Sequence, residues 1–135
     1  MVGIRPVVMV PDENARAYAE SSAPAREEPD GPTLHATDEM RRLATPWTVA
    51  ISRAKLLASA PLPPGLIVDP ACGSANQLAA LCTQLNRPGL GVELSGAVAP
   101  LAAINLERSS TWADGDWAET SRILWGDGTV AESIL

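Results

Sequence analysis

The chain has 135 residues, with 46% hydrophobic and 19% charged residues, values typical of a globular protein. Acidic residues outnumber basic ones, giving a net charge of −6 and a pI near 4.6. Proteins grip the phosphate backbone of nucleic acids with clustered Lys and Arg, so this balance argues against nonspecific nucleic-acid binding by the segment alone. Any contact with nucleic acid is expected to come from elsewhere.

The two cysteines, Cys72 and Cys82, have neither the spacing of metal ligands nor that of a disulfide framework. We therefore expect a reducing, cytoplasmic setting. The apolar run at residues 7–10 is too short for the core of a signal peptide, and no run approaches the length of a membrane span. The sequence thus predicts a soluble protein with no membrane partner, and it leaves the oligomeric state open.

Residues 1–36 are predicted to form a flexible, disordered leader. Within it, residues 21–32 are polar, punctuated by proline and without hydrophobic periodicity. Residues 14–20 have the pattern of a short helix, which would be marginal without packing. His35, the single histidine, is expected to be solvated there.

The ordered part is expected over residues 37–135, and its first clear element is a helix after Thr45 and Pro46. Thr at the N-cap and Pro at the first helical position are typical of helix starts. The apolar residues that follow lie on one stripe of the helix: Trp47, Ala50, Ile51, Ala54, Leu57 and Ala58. The helix is predicted to end before Pro61.

The central stretch is a short strand followed by an acidic loop and a capped helix. Residues 66–68 form a continuous apolar run, typical of a strand buried on both faces of a parallel sheet. Asp69 follows the strand, and Gly73 leaves room where backbone amides can approach a ligand at a helix N-terminus. Ser74 and Gln77 have the spacing of a capping box, which predicts a helix that ends near residue 86.

The same order of strand, acid and helix then repeats. Residues 89–93 form a second short strand that ends at Glu93, and Ser95 is predicted to cap a helix over residues 97–108. Residues 122–125 form a third strand, followed by Asp127. Residues 130–135 have the pattern of a further helix start.

This order predicts an α/β fold with a partial, Rossmann-like, doubly wound parallel sheet of about three strands and flanking helices. The carboxyl ends of parallel strands share one edge, so Asp69, Glu93 and Asp127 are expected to face the same ligand site. Two simpler interpretations stay open. Asp127 lies in an Asp-Gly turn, and an acid such as Glu93 before a helix also complements the helix dipole.

The loop residues 69–74, Asp-Pro-Ala-Cys-Gly-Ser, resemble the first motif of class I S-adenosylmethionine-dependent methyltransferases. The form is that of adenine amino-group DNA methyltransferases and related RNA enzymes. Thr45-Pro46 is similar to an upstream element that this family places beside the methionine end of the cofactor. By this resemblance, Glu93 would bind the ribose hydroxyls and Asp127 would lie near the adenine amino group. The implied S-adenosyl-L-methionine contacts are Thr45, Pro46, Asp69, Pro70, Ala71, Cys72, Gly73, Asn76, Glu93, Leu94 and Asp127.

Two features depart from the family pattern. Ala75 stands where a second Gly is usual, and its methyl group is expected to crowd the cofactor. The catalytic motif of the family, Asn or Asp followed by Pro-Pro and an aromatic residue, is missing, because the single Pro-Pro pair, Pro63-Pro64, precedes the first strand. Residues 37–135 are therefore interpreted as a truncated, cofactor-binding half with no catalytic residues and no activity alone.

The resemblance implies nucleic acid, DNA or RNA, as the substrate of the complete enzyme. Two alternatives stay open from the sequence. One is a methyltransferase of the same fold for another substrate, and the other is a noncatalytic or remnant Rossmann-like module. Cys72, at a helix N-terminus, also raises the possibility of a reactive thiol, against which the absence of a nearby His counts.

Overall fold

The structure, a computed structural model, describes residues 6–129 of the chain. The helix start predicted at residues 130–135 lies outside the described residues. The strands are β1 (Val7–Val8), β2 (Ala25–Glu27), β3 (Thr33–His35), β4 (Ile67–Asp69), β5 (Gly89–Glu93) and β6 (Arg122–Trp125). The α-helices are α1 (Glu13–Ser22), α2 (Asp38–Leu43), α3 (Trp47–Ala58), α4 (Asn76–Leu85) and α5 (Ala99–Trp112), with a 3₁₀ helix at Trp117–Thr120.

The fold is α/β, with a four-stranded mixed sheet in the order β1-β6-β5-β4. Strands β4, β5 and β6 are parallel, as the sequence predicted, and their registers pair Asp69 with Gly91 and Glu93 with Trp125. The fourth strand, β1, was not predicted and pairs antiparallel with the outer edge of β6. A second, two-stranded sheet joins β2 to β3.

Helices α4 and α5 cover one face of the four-stranded sheet. A Cβ atom on Gly91 would lie 2.8 Å from Ile123 Cδ1 and 2.9 Å from Leu78 Cδ2, so β5 approaches α4 too closely for a side chain there. Leu78 and Ile123 belong to the main core, where Ala and Leu predominate and Trp47 is the largest buried side chain. Helix α3 packs on α4.

The other face of the sheet is partly open, which corrects the prediction that the first strand is buried on both faces. Val68 pairs with Leu90 and alternates with the residues that face α4. Val68 is 45% exposed, and Leu66, just before β4, is 54% exposed. A continuous apolar run therefore did not distinguish a strand with two covered faces from one at the edge of the sheet.

The leader predicted over residues 1–36 instead carries packed structure in its described part. Helix α1 packs on α5 through Ala19, which is fully buried, and the Tyr18 hydroxyl donates a 2.7 Å hydrogen bond to Ala97 O. Strand β3 also contacts α5, and Leu34 and His35 are buried. The expectation of a solvated His35 was wrong. Helix α1 includes residues 14–20, where a short helix was predicted. Strands β2 and β3 are too short to show periodicity, and contacts distant in sequence stabilise these elements.

The predicted helix starts are corrected in detail. Helix α3 begins at Trp47 with Pro46 as its N-cap and no side-chain cap from Thr45. Helix α4 has Ala75 at its N-cap, and Ser74 Oγ donates to Asn76 Oδ1 rather than capping the helix with Gln77. Ser95 accepts backbone bonds at its carbonyl, and α5 runs from Ala99 to Trp112.

Among residues 6–129, no helix combines the length and the apolar character needed to cross a bilayer.

Candidate functional site

A pocket of about 220 Å³ lies at the carboxyl end of β4. It brings together six of the residues that the resemblance assigned to the cofactor: Thr45, Asp69, Ala71, Cys72, Gly73 and Asn76. The remaining lining residues were not predicted from the sequence: Met40, Leu43, Ala44, Ser74 and Gln77. Three of these five residues, Met40, Leu43 and Ala44, come from α2 and the turn after it, where the sequence pattern is weak and gave no signal of a site.

Thr45 reaches the pocket because α2 and α3 meet in a short turn above the loop after β4. Thr37 Oγ1 accepts a bond from Met40 N at the start of α2, and Met40 O accepts from Ala44 N at its end. The helix is thus fixed at both ends. The resemblance implied that Thr45 lies beside the methionine end of the cofactor, and the structure brings Thr45 to the same pocket as Asp69 and Gly73. Pro46 does not line the pocket and serves as the N-cap of α3.

Two backbone amides of the loop from Asp69 to Gly73 donate the hydrogen bonds that hold it in place. Asp69 Oδ1 accepts a 3.0 Å bond from Ala71 N, and Cys72 N donates a 3.0 Å bond to Val92 O in the neighbouring strand. Gly73 has φ +56, and no heavy atom lies within 4 Å of an ideal Cβ there. The loop therefore leaves open space beside Gly73, on the wall of the pocket.

Glu93 fastens this loop to β5. Its Oε1 accepts a 3.1 Å bond from Gly73 N, and its Oε2 accepts a 2.6 Å bond from Ser95 N. Each carboxylate oxygen can accept a second bond, so Glu93 retains lone pairs for a ligand hydroxyl. Leu94 is 65% exposed, and its carbonyl accepts a bond from Trp125 Nε1. Neither residue lines the pocket at β4.

Asp127 lies apart from the pocket and stabilises its own turn. Its Oδ1 accepts bonds from Thr129 Oγ1 and Thr129 N, which lower the pKa of the Asp127 carboxyl. This is the turn interpretation that the sequence left open. The turn also packs against the loop after β4, because a Cβ on Gly128 would overlap with Pro70 O.

Cys72 is not an activated nucleophile. The thiol is buried, and burial followed by the negative charges of Asp69 and Glu93 raises its pKa to about 12. At neutral pH the thiolate, which is the reactive form, is negligible. Cys72 contributes its small size to the loop, where a Cβ on Gly91 would meet its sulfur at 2.9 Å.

Asn105, on α5, is the main residue to which the sequence analysis assigned no role, although residues 102–106 resemble an A-x-x-N-L pattern of the same family. It is fully buried, and its Oδ1 accepts a 2.7 Å bond from His35 N. Its Nδ2 donates to His35 O at 2.8 Å and to Ser74 O at 2.9 Å. One amide thus joins α5, β3 and the loop that begins α4. In the sequence, the signal that could have identified Asn105 is a polar residue among apolar neighbours in the middle of a helix.

A second connection runs from the N-terminal hairpin to the same loop. Glu28 Oε1 accepts a 2.9 Å bond from Asn76 Nδ2, which orients the Asn76 side chain at the pocket. The region is anionic, since it carries Asp69, Glu93 and Glu28. No group of His, Cys, Asp and Glu within residues 6–129 has the arrangement of a metal site.

No family model, curated protein or solved structure matches this chain. Its functional interpretation therefore depends on the motif at residues 69–74 and on the geometry around that motif.

Proposed function

We propose that this chain is the cofactor-binding part of an S-adenosylmethionine-dependent methyltransferase, with its parallel strands belonging to a Rossmann-like doubly wound sheet. The observation that carries the proposal is the pocket at β4, where Thr45 meets Asp69 and Gly73. These residues are distant in sequence, and the family resemblance associates them with one ligand. Their meeting at the carboxyl edge of a parallel sheet agrees with the usual place of such a ligand.

The residues at this edge suit a ligand with a cationic centre and a ribose diol. The acidic side chains favour a positive charge, and Glu93 has acceptor capacity left for hydroxyl groups. Gly73 leaves space for a ligand atom close to the backbone. The pocket of about 220 Å³ is smaller than ordinary ligand pockets of ~300–1,000 Å³, so it would hold one end of the cofactor.

When bound, S-adenosylmethionine supplies a methyl group activated by the adjacent sulfonium. The residues of this chain would bind and orient that donor, and Asn105 and Glu28 would keep the loop at Ser74 and Asn76 in place. The acceptor proposed from the resemblance is nucleic acid, DNA or RNA. Its negative backbone would be held by a basic surface outside this acidic segment.

One observation favours a second candidate, a noncatalytic Rossmann-like module. Glu93 and Asp127, the two acids assigned to ribose and adenine, both accept bonds from backbone amides. A module that had lost its cofactor would keep such bonds for stability alone. Cofactor titration separates the two candidates, because only the first predicts binding.

The test is calorimetric titration of the chain with S-adenosylmethionine, using a matched pair of glycine variants. Gly73→Ala adds a methyl group to the pocket wall, and we expect it to weaken binding by about tenfold or more, equivalent to ~1.4 kcal/mol. Gly65→Ala is the control, since Gly65 also has positive φ and open space but does not line the pocket. Absence of binding by the unmodified chain would favour the noncatalytic module. Equal weakening by both variants would place the ligand elsewhere.

A further inference from the structure

A larger cavity, of about 600 Å³, lies at the opposite edge of the sheet from the candidate cofactor site. It opens at the amino end of β6, between β1, the C-terminal half of α5 and the 3₁₀ helix. Its volume falls within the ~300–1,000 Å³ range of small-molecule pockets. The proposed methyltransferase function makes no use of it.

The floor of this cavity is apolar. Met9, which directly follows β1, donates a 2.8 Å bond from its N to Ile123 O on β6, and both residues line the cavity. Leu106 and Ala103 line it from α5, and Ala118 lines it from the 3₁₀ helix. Water over such a floor is readily displaced by the hydrocarbon part of a ligand.

The charges around the cavity are unbalanced. Three carboxylates, those of Glu107, Asp116 and Glu119, and one guanidinium, that of Arg122, line it. Glu107 accepts bonds from Arg16, whereas within residues 6–129 the carboxylates of Asp116 and Glu119 form no hydrogen bond or ion pair. Arg122 Nη1 donates to the carbonyls of Glu119 and Ser121 instead of to a carboxylate. With Arg16 counted, three negative and two positive charges lie beside the cavity, so the net charge there is negative.

We propose that this cavity binds an organic cation with an apolar body, of the class of alkyl- or arylalkylamines. The hydrocarbon would cover the floor at Met9 and Ile123, and the ammonium group would lie between the carboxylates of Asp116 and Glu119. A carboxylate ligand of the same length would be repelled by the carboxylates of Asp116 and Glu119. This proposal does not depend on the proposed methyltransferase function.

The methionines allow the two sites to be observed separately. Met9 lines this cavity and Met40 lines the candidate cofactor site, so ¹³C-methyl methionine NMR of the full chain reports each one. Hexylamine should shift the Met9 methyl resonance saturably and leave Met40 unchanged, while hexanoate at equal concentration should shift neither. S-adenosylmethionine, in a parallel titration, should shift Met40 only.

Paired variants test the charge requirement. Asp116→Asn combined with Glu119→Gln changes only exposed side chains and should weaken hexylamine binding about tenfold, the effect of two modest charge interactions. Glu20→Gln combined with Glu39→Gln removes the same charge away from the cavity and should leave binding unchanged. An unmoved Met9 resonance, equal responses to hexylamine and hexanoate, or equal weakening by both double variants would overturn the proposal. A response of Met9 alone would support it even if S-adenosylmethionine fails to bind.

Discussion

The Asn105 amide bonds to backbone groups of two separate segments inside the core. Replacing it by Leu would leave His35 N, His35 O and Ser74 O without partners in a buried place. Each unsatisfied buried group costs ~1–3 kcal/mol, so we expect Asn105→Leu to lower the free energy of unfolding by about 3 kcal/mol or more. Urea denaturation measures this change.

Ser109 supplies the matched control one helical turn further along α5. It is fully buried, and its Oγ has no hydrogen-bond partner within residues 6–129. Ser109→Ala should therefore leave the free energy of unfolding unchanged or raise it slightly, since an unsatisfied hydroxyl is removed. Equal losses in the two variants would mean that burial on α5, rather than the bonds of Asn105, determines the cost.

The two buried thiols should make the free energy of unfolding depend on pH in the alkaline range. Burial is the main cause that raises the pKa of both Cys72 and Cys82 to about 12. The unfolded chain releases these protons above about pH 9, while the folded chain still holds them. The contribution of the thiols to the free energy of unfolding is therefore fully present below pH ~9. It is lost as pH rises toward ~12, by about 1.4 kcal/mol per pH unit for each thiol.

Thermal unfolding between about pH 8 and pH 11 tests this pH dependence. We expect the melting temperature to fall over this interval and Cys82→Ala to make the fall less steep, because one late-titrating thiol is gone. Every other ionisable group is the same in both proteins. Identical slopes in the two proteins would assign the whole effect to such groups.

The start of α4 differs from the predicted capping box. Ala75 occupies its N-cap with φ +72, a left-handed conformation that costs a non-Gly residue about 1 kcal/mol. Its methyl group is fully buried in the core and does not line the pocket. The expectation that Ala75 crowds the cofactor is therefore not supported by its position.

We predict that Ala75→Gly changes both stability and cofactor binding little. Relief of the left-handed strain, about 1 kcal/mol, offsets the loss of a buried methyl group, about 0.8 kcal/mol. The free energy of unfolding should stay within about 1 kcal/mol of the original, and the dissociation constant for S-adenosylmethionine should not move. Urea denaturation and calorimetry measure the two quantities. Tighter binding in the variant would restore the crowding interpretation.

Elements whose residue pattern lies within one short segment could be predicted from the sequence alone. Strands β5 and β6 have the predicted bounds, and the order from β4 to β6 follows from turn residues and apolar runs. Strands β1 and β3 could not be predicted, because they have two and three residues and depend on partners at Trp125 and on α5. At the pocket, the resemblance had assigned Thr45, Asn76 and the loop residues 69 and 71–73. Asn105 and Glu28 contact the lining residues Ser74 and Asn76 only through tertiary packing, which the sequence pattern does not show.

For the molecule as a whole, the N-terminal segment behaves as part of the domain. Its hairpin lies against Trp47, since a Cβ on Gly31 would fall 2.5 Å from Trp47 Cδ1, and Leu34 belongs to the same core cluster. Strand β1 covers the outer edge of β6, an edge that would otherwise be open to association.

Removal of residues 1–36 should therefore abolish cooperative folding. The shortened chain would expose Trp47 and the apolar side of α5, and small domains have only ~5–15 kcal/mol of stability to lose. We expect a broad thermal transition by circular dichroism and poor dispersion in ¹H–¹⁵N NMR spectra. A cooperative transition at the temperature of the full chain would reinstate the interpretation of these residues as a leader.

The 135-residue chain is expected to transfer no methyl group. Methyl transfer requires an acceptor held in line with the donor, and orientation supplies much of the rate acceleration. The pocket that we propose for one end of the donor lies at the carboxyl edge of the sheet, and the Pro-Pro pair that could have formed an acceptor loop precedes β4. Binding without turnover is the expected behaviour.

Incubation with labelled S-adenosylmethionine and a mixture of DNA and RNA should leave the nucleic acid unlabelled, while calorimetry on the same sample shows binding. Label above background that disappears in Gly73→Ala and persists in Gly65→Ala would demonstrate an acceptor site within this chain.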